Sequence, residues 1–240
     1  MTARRLAVLL ALGLVAPALI GAPAGMTEVA GASTAQMSSG EVVAELVVRS
    51  SDLPARIDWS SQPTGPIVFK GSQKFIACMD RGGPKTTVSP DPFGLTGKVA
   101  GDVTASVQSP SFVQKGSSTG EPNVTSTVTL LKTPAQAAHD LGAADSRSFF
   151  PCLGRLDAAA GLEGSLARLV VPRLGDGMGV GIRFVGKFPH FPREYADAFF
   201  YVERNVEIEL SFTNGFSPFP KKWEWAIAAK VMERAKVLMA

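Results

Sequence analysis

Cysteine and histidine are scarce in this sequence, two of each, and charged residues make up only 19% of it. Two cysteines are too few for a disulfide-dense miniprotein or a four-cysteine zinc centre. His139 and His190 cannot make a three-histidine metal site, and no metal or other cofactor is expected. Low charge beside 45% hydrophobic residues excludes an intrinsically disordered chain. One-sided charge is missing as well: 24 basic against 21 acidic residues leave a net charge of +3. A nucleic-acid binder concentrates a basic excess on one face, so no nucleic acid is expected as a partner. The longest basic cluster, Lys221-Lys222, reads as a solvated helix start. What the chain does have is 24 glycines and 17 prolines, a composition for strands and loops rather than a helical bundle.

Residues 1–24 read as a secretory signal peptide. Arg4 and Arg5 form a positive start, Leu6 to Ile20 is uncharged and apolar, and Ala22-Pro23-Ala24 supplies a small-x-small cleavage pattern. Ala30-Gly31-Ala32 is a second candidate. A membrane span needs about 20 apolar residues; this run is shorter and is broken by Pro17, so no span is expected after cleavage. No cysteine lies near the cleavage site to carry a lipid anchor. Cleavage removes two arginines, so the mature chain carries +3 − 2 = +1. Residues 25–41 are small and polar without apolar period and read as a flexible leader. Residues 42–240 are then a single domain, secreted to the extracellular side.

Secretion bears on the cysteines, which usually pair in an oxidising compartment. A Cys78–Cys152 bridge closes a loop of 152 − 78 + 1 = 75 residues and contributes about 4 kcal/mol by chain entropy. Two separately buried thiols, or a reactive thiol, are the alternatives. A reactive thiol wants a histidine beside it, and no motif ties either histidine to either cysteine.

Along the chain, Val42–Val48 is apolar and leads into Ser51-Asp52-Leu53-Pro54, where the chain turns. Ser72–Met79 is a candidate short helix. Alternation over 99–107 and β-branched residues over Val124–Leu131 read as strands. Thr133 as N-cap and Pro134 at the first helical position open a helix through Ala144. A second helix is expected over Cys152–Leu162. Four more strands follow: Leu166–Leu174, Val180–Phe188, Ala198–Val202 and Val206–Phe212. Gly175-Asp176-Gly177 and Glu203-Arg204-Asn205 serve as turns. Pro220 starts a final helix with Trp223, Ile227, Met232, Ala235 and Met239 on its apolar face. The order predicts an α+β fold: an antiparallel sheet of about five to six strands with helices packed on one face, the C-terminal helix included.

Several of these strings carry a family resemblance. Ser51-Asp52-Leu53-Pro54, Ser109-Pro110-Ser111-Phe112, Val124-Thr125-Ser126-Thr127-Val128 followed by Thr133-Pro134-Ala135-Gln136-Ala137-Ala138, Phe149-Phe150-Pro151-Cys152-Leu153, and Phe216-Ser217-Pro218-Phe219-Pro220 are short motifs spread over residues 46–238. Together they resemble secreted actinobacterial proteins similar to the extracellular sensor domains of mycobacterial PknH-type serine/threonine kinases and to related cell-envelope lipoproteins. The resemblance implies an α+β domain with a ligand-binding cleft and no established enzymatic activity. This chain has no kinase domain, so it would be a free secreted module.

Among candidate sites, Gly116-Ser117-Ser118-Thr119-Gly120 matches G-x-S-x-G but sits in a Gly/Ser loop instead of a strand-to-helix elbow. His139 lies in an Ala-rich helix beside Asp140, and adjacent residues there point to different faces. Glu207 and Glu209 share one strand face, read as solvent-facing, whereas a glycosidase needs its carboxyls across a cleft. The loop Phe188-Pro189-His190-Phe191-Pro192 either lines a ligand mouth or is a proline-stiffened connection capping the core. Phe199-Phe200-Tyr201 must face both sides of the sheet. One side then covers a ligand, or helices bury both. The candidate lining is Phe188, His190, Phe191, Phe199 and Tyr201. The expected function is a secreted, non-enzymatic ligand-binding or sensor-like module with an apolar cleft for a small molecule or lipid. The alternatives are a cell-envelope structural or protein-interaction protein with an envelope protein as partner, and a secreted hydrolase acting through His190.

Overall fold

The computed structural model describes residues 37–64, 78–79, 103–116, 122–159, 163–174, 179–188 and 191–240. Residues 1–24, the Gly116–Gly120 motif beyond Gly116, the Gly175–Gly177 turn and His190 lie outside them.

Among the described residues, eight strands form one antiparallel sheet: β1 (Trp59–Gln62), β2 (Val103–Gln108), β3 (Ser111–Gln114), β4 (Asn123–Leu131), β5 (Glu163–Leu169), β6 (Gly179–Phe188), β7 (Phe191–Glu203) and β8 (Val206–Asn214). The order is β1-β3-β4-β8-β7-β6-β5, with β2 also on β4. The α+β antiparallel reading holds, with more strands than the five or six expected. The surplus comes from β1 and β3, four residues each, too short for alternation to show. Ser109 joins β2 to β3: its backbone N–H donates to Ser126 O (2.8 Å) and its hydroxyl accepts from Ser126 N (2.9 Å), so both segments hydrogen-bond along β4.

Among the described residues, four helices can be followed over their length and cover the sheet: α1 (Ser39–Leu46), α2 (Pro134–Asp145), α3 (Phe149–Ala159) and α4 (Lys221–Leu238). The helix α1 begins inside the stretch read as leader. Its start is fixed by a capping box, Ser38 with Glu41, and it buries Val43 and Leu46. Thr133 caps α2 in the same way with Gln136, and Pro134 takes the first turn as expected. The helix α3 starts at Phe149, three residues before Cys152, because Pro151 is tolerated inside a first turn.

The helices lie on both faces, not one. One layer packs α1 and α4 (Val43, Leu46, Ile227, Val231) on Phe199, Tyr201, Ile208, Leu210 and Phe212. The other packs α2 and α3 (Leu141, Ala144, Phe149, Leu153) on Val180, Ile182, Ala198 and Phe200. Strand alternation sends neighbours to opposite faces. Phe199-Phe200-Tyr201 is therefore fully accounted for by two apolar layers. Glu209 follows: read as solvent-facing, it lies on the covered face and is buried.

Strand β7 runs from Phe191, well before the Ala198 expected, and β5 ends at Leu169 rather than 174. The β7–β8 turn is tight: Glu203 pairs with Val206, Arg204 sits at φ 53°, and the Asn205 side chain donates to Leu131 O at 2.6 Å. Cys78 and Cys152 are joined, as expected for an oxidising compartment, tying residues 78–79 to α3. A 3₁₀ turn at Ser50–Asp52 is locked to α4, since Asp52 accepts from Arg234 Nη1 (2.7 Å) and Nη2 (2.9 Å) and from Arg49 N (2.9 Å).

Candidate functional site

The helix α4 packs over the β7–β8 pair, and beside it a charged cluster is built into the apolar layer. Along β7 the residues Tyr195, Asp197, Phe199 and Tyr201 share one face by alternation. Across the register Arg183 stands opposite Asp197. Its Nε and Nη2 donate to the two Asp197 oxygens at 2.7 and 2.5 Å, a bidentate fork. Asp197 is 1% exposed, while a quarter of the Arg183 side chain reaches solvent. The pairing raises the Arg183 pKa further.

From above, α4 presents Glu224, 2% exposed. Burial, then a hydrogen bond to Asp197, then the Asp197 charge hold the Glu224 carboxyl protonated well above its usual range. The Arg183 and Lys221 charges oppose this without overcoming it. At neutral pH Glu224 is therefore a neutral acid that donates its proton to Asp197. Tyr201 is 1% exposed, and burial together with the nearby Glu224 carboxylate pushes its phenol up. The Tyr201 hydroxyl and Glu224 Oε1 are buried without a hydrogen-bond partner. On the opposite face of β7, burial raises Glu194 to about 7, and its Oε1 is likewise unmatched.

Of the five expected lining residues, Phe199 and Tyr201 are brought together, with ring centroids 6.4 Å apart and both 1% exposed within the core. Phe188 and Phe191 are backbone register partners across β6 and β7 at the hairpin end. Phe191 and Phe199 are eight residues apart on one strand, about 26 Å at the usual rise. The hairpin end and the core pair therefore lie at separate points along β7. Arg183, Asp197 and Glu224 were missed in the sequence. The signal was there: a charge at the inward position of two apolar strands, and an acid on the apolar stripe of a helix.

Elsewhere, His139 Nδ1 and Asp140 Oδ1 are 3.0 Å apart. The two residues diverge by about 100° around the helix, yet an imidazole folds back far enough to meet its neighbour. The contact reverses the expectation that they would point apart. Among the described residues, no three His, Cys, Asp or Glu side chains converge on a possible metal position. No helix among them is long and apolar enough to cross a membrane.

No family model matches the chain, and no curated protein matches it in sequence. Among solved structures it is similar to the extracellular domain of PknH from Mycobacterium tuberculosis, with 13% identity and a TM-score of 0.47 over 84% of this chain and 98% of that one. That is the kind of domain the sequence motifs resemble. At this identity and score the likeness carries no argument about a site or ligand.

Proposed function

We propose that this chain is a secreted, non-enzymatic binding or sensor-like module of the cell envelope that receives a small polar ligand at the Arg183–Asp197–Glu224–Tyr201 cluster. One observation carries the reading: hydrogen-bonding capacity is left over there. The Tyr201 hydroxyl and Glu224 Oε1 are buried and unmatched within electrostatic range of each other. An unmatched buried polar group costs about 1–3 kcal/mol, and native proteins keep such groups where a guest or an ordered water meets them. The partly exposed Arg183 is the way in. A hydroxyl or amine, able to donate to Glu224 and accept from Tyr201, fits the cluster chemically.

Two further observations favour binding over turnover. Cys78 and Cys152 are joined, so neither thiol is a nucleophile. Within the cluster the Glu224 carboxyl is hydrogen-bonded to Asp197, which the Arg183 guanidinium already holds.

A second reading has its own support. Both sheet faces are packed by helices, which removes the reason for an apolar cleft along Phe199–Tyr201 and suits an envelope structural or protein-interaction role. Native against denaturing mass spectrometry of the secreted chain separates the two. A discrete small adduct, depleted by Tyr201→Phe and by Glu224→Gln, supports the first. A bare chain in both spectra, unchanged by either substitution, replaces it with the second.

A further inference from the structure

The start of α4 and the loop before it bring aromatic rings and cations together at the surface. Phe216 is 60% exposed. Phe219, buried, packs edge-on against the half-buried Trp223 with centroids 6.0 Å apart. Lys221 Nζ stands 4.3 Å from the centre of the Trp225 ring, and Lys222 Nζ stands 5.9 Å from that of Trp223. The loop is pinned at its base, where Asn214 Nδ2 donates to Ser217 Oγ at 3.3 Å. Asn214 pairs with Tyr195, whose ring carries the Arg193 guanidinium at 5.9 Å. Phe216, Trp223, Trp225, Lys221, Lys222 and Arg193 thus belong to one end of the domain.

The local charge is one-sided although the whole chain is nearly balanced. The one acid of the first helical turn, Glu224, is buried and engaged with Asp197, and Asp197 is engaged with Arg183. Lys221 and Lys222 are both exposed, and no acid pairs with them among the salt bridges of the described residues. Two lysines in a first turn also oppose the helix dipole, at about 0.3–1 kcal/mol each. Rings that are part apolar and part polar, flanked by cations and led by one protruding phenylalanine, have the composition that anchors a protein in the headgroup layer.

We infer that this end of the domain docks on an anionic lipid surface, with Phe216 entering the acyl boundary, the half-buried Trp223 at headgroup level, and Lys221, Lys222 and Arg193 on lipid phosphates. Charge complementarity selects the occupant: a cationic, ring-rich surface fits anionic lipid rather than a zwitterionic bilayer or a second copy of this chain with the same cationic end.

The test is co-sedimentation of the secreted chain, its N-terminus checked by mass so that residues 1–24 are absent, with phosphatidylglycerol-containing vesicles and with pure phosphatidylcholine vesicles. Tryptophan emission is followed in parallel. Binding only to the anionic vesicles, with a blue shift and with weakening by salt, is expected. Neutralising each lysine, Lys221→Gln and Lys222→Gln, should cost about fivefold in affinity, from about 1 kcal/mol per cation at such a surface. Phe216→Ser should weaken binding and leave its salt dependence unchanged. All three positions are exposed, so circular dichroism should show intact folding. Equal binding to both vesicle types, no binding to either, or binding indifferent to these variants overturns the inference. So does capture by soluble dextran sulfate without capture by vesicles, which would assign the surface to a polyanion. None of these outcomes depends on the small-ligand adduct.

Discussion

Replacing Glu224 by Gln should stabilise the protein progressively as pH rises. Glu224 is 2% exposed and is held protonated above its ordinary value of 4.5 by burial and by Asp197. A carboxyl raised in the folded state contributes stability that is full below about pH 4.5 and falls as pH climbs toward the folded value. One proton is at stake, so the slope is at most about 1.4 kcal/mol per pH unit. Gln keeps the shape and an N–H for Asp197 but cannot titrate. The variant-minus-parent difference in unfolding free energy should therefore grow by up to about 2–3 kcal/mol across two pH units between about pH 5 and pH 8. Titrating groups remote from Glu224, such as Glu194 on the opposite face of β7, are common to both proteins and cancel. Urea unfolding at several pH values measures the difference. Parallel curves, with a constant gap between parent and variant, would refute the reasoning that Glu224 is neutral in the fold.

Three further outcomes are expected. Asp52→Ala should cost about 3–5 kcal/mol in urea unfolding, because it leaves the Arg234 guanidinium without its buried partner and removes the cap on Arg49 N; a loss below 1 kcal/mol would mark the pair as a surface contact. Arg204→Gly should gain about 0.5–1 kcal/mol, since Arg204 sits at φ 53°, where glycine alone carries no Cβ penalty; thermal unfolding reads the sign. Reducing Cys78–Cys152 should cost about 4 kcal/mol, the chain-entropy value for a bridge with sequence separation 74, seen as a lower midpoint in reductant.

The pattern of alternating apolar residues determined most of what can be known before folding. Val206, Ile208, Leu210 and Phe212 of β8 all pack inward, as their spacing requires. Thr133-Pro134 set the start of α2 through local backbone chemistry alone, and the two cysteines paired as an oxidising compartment favours. These features are decided by neighbours in sequence or by composition, so the sequence carries them. Short edge strands such as β1 are held by partners far along the chain, and no local pattern announces them. The second helical layer was hidden for the same reason: alternation tells which residues share a face, but not what covers that face. That one unknown turned Phe199 from expected ligand lining into core and took Glu209 out of solvent. Arg183, Asp197 and Glu224 lie 14 and 27 residues apart in sequence (197 − 183 and 224 − 197). Each alone looks like a polar residue misplaced in an apolar run. Only the strand register and the crossing of α4 make them one cluster, because a buried charge is tolerated only when tertiary structure brings its partner to it.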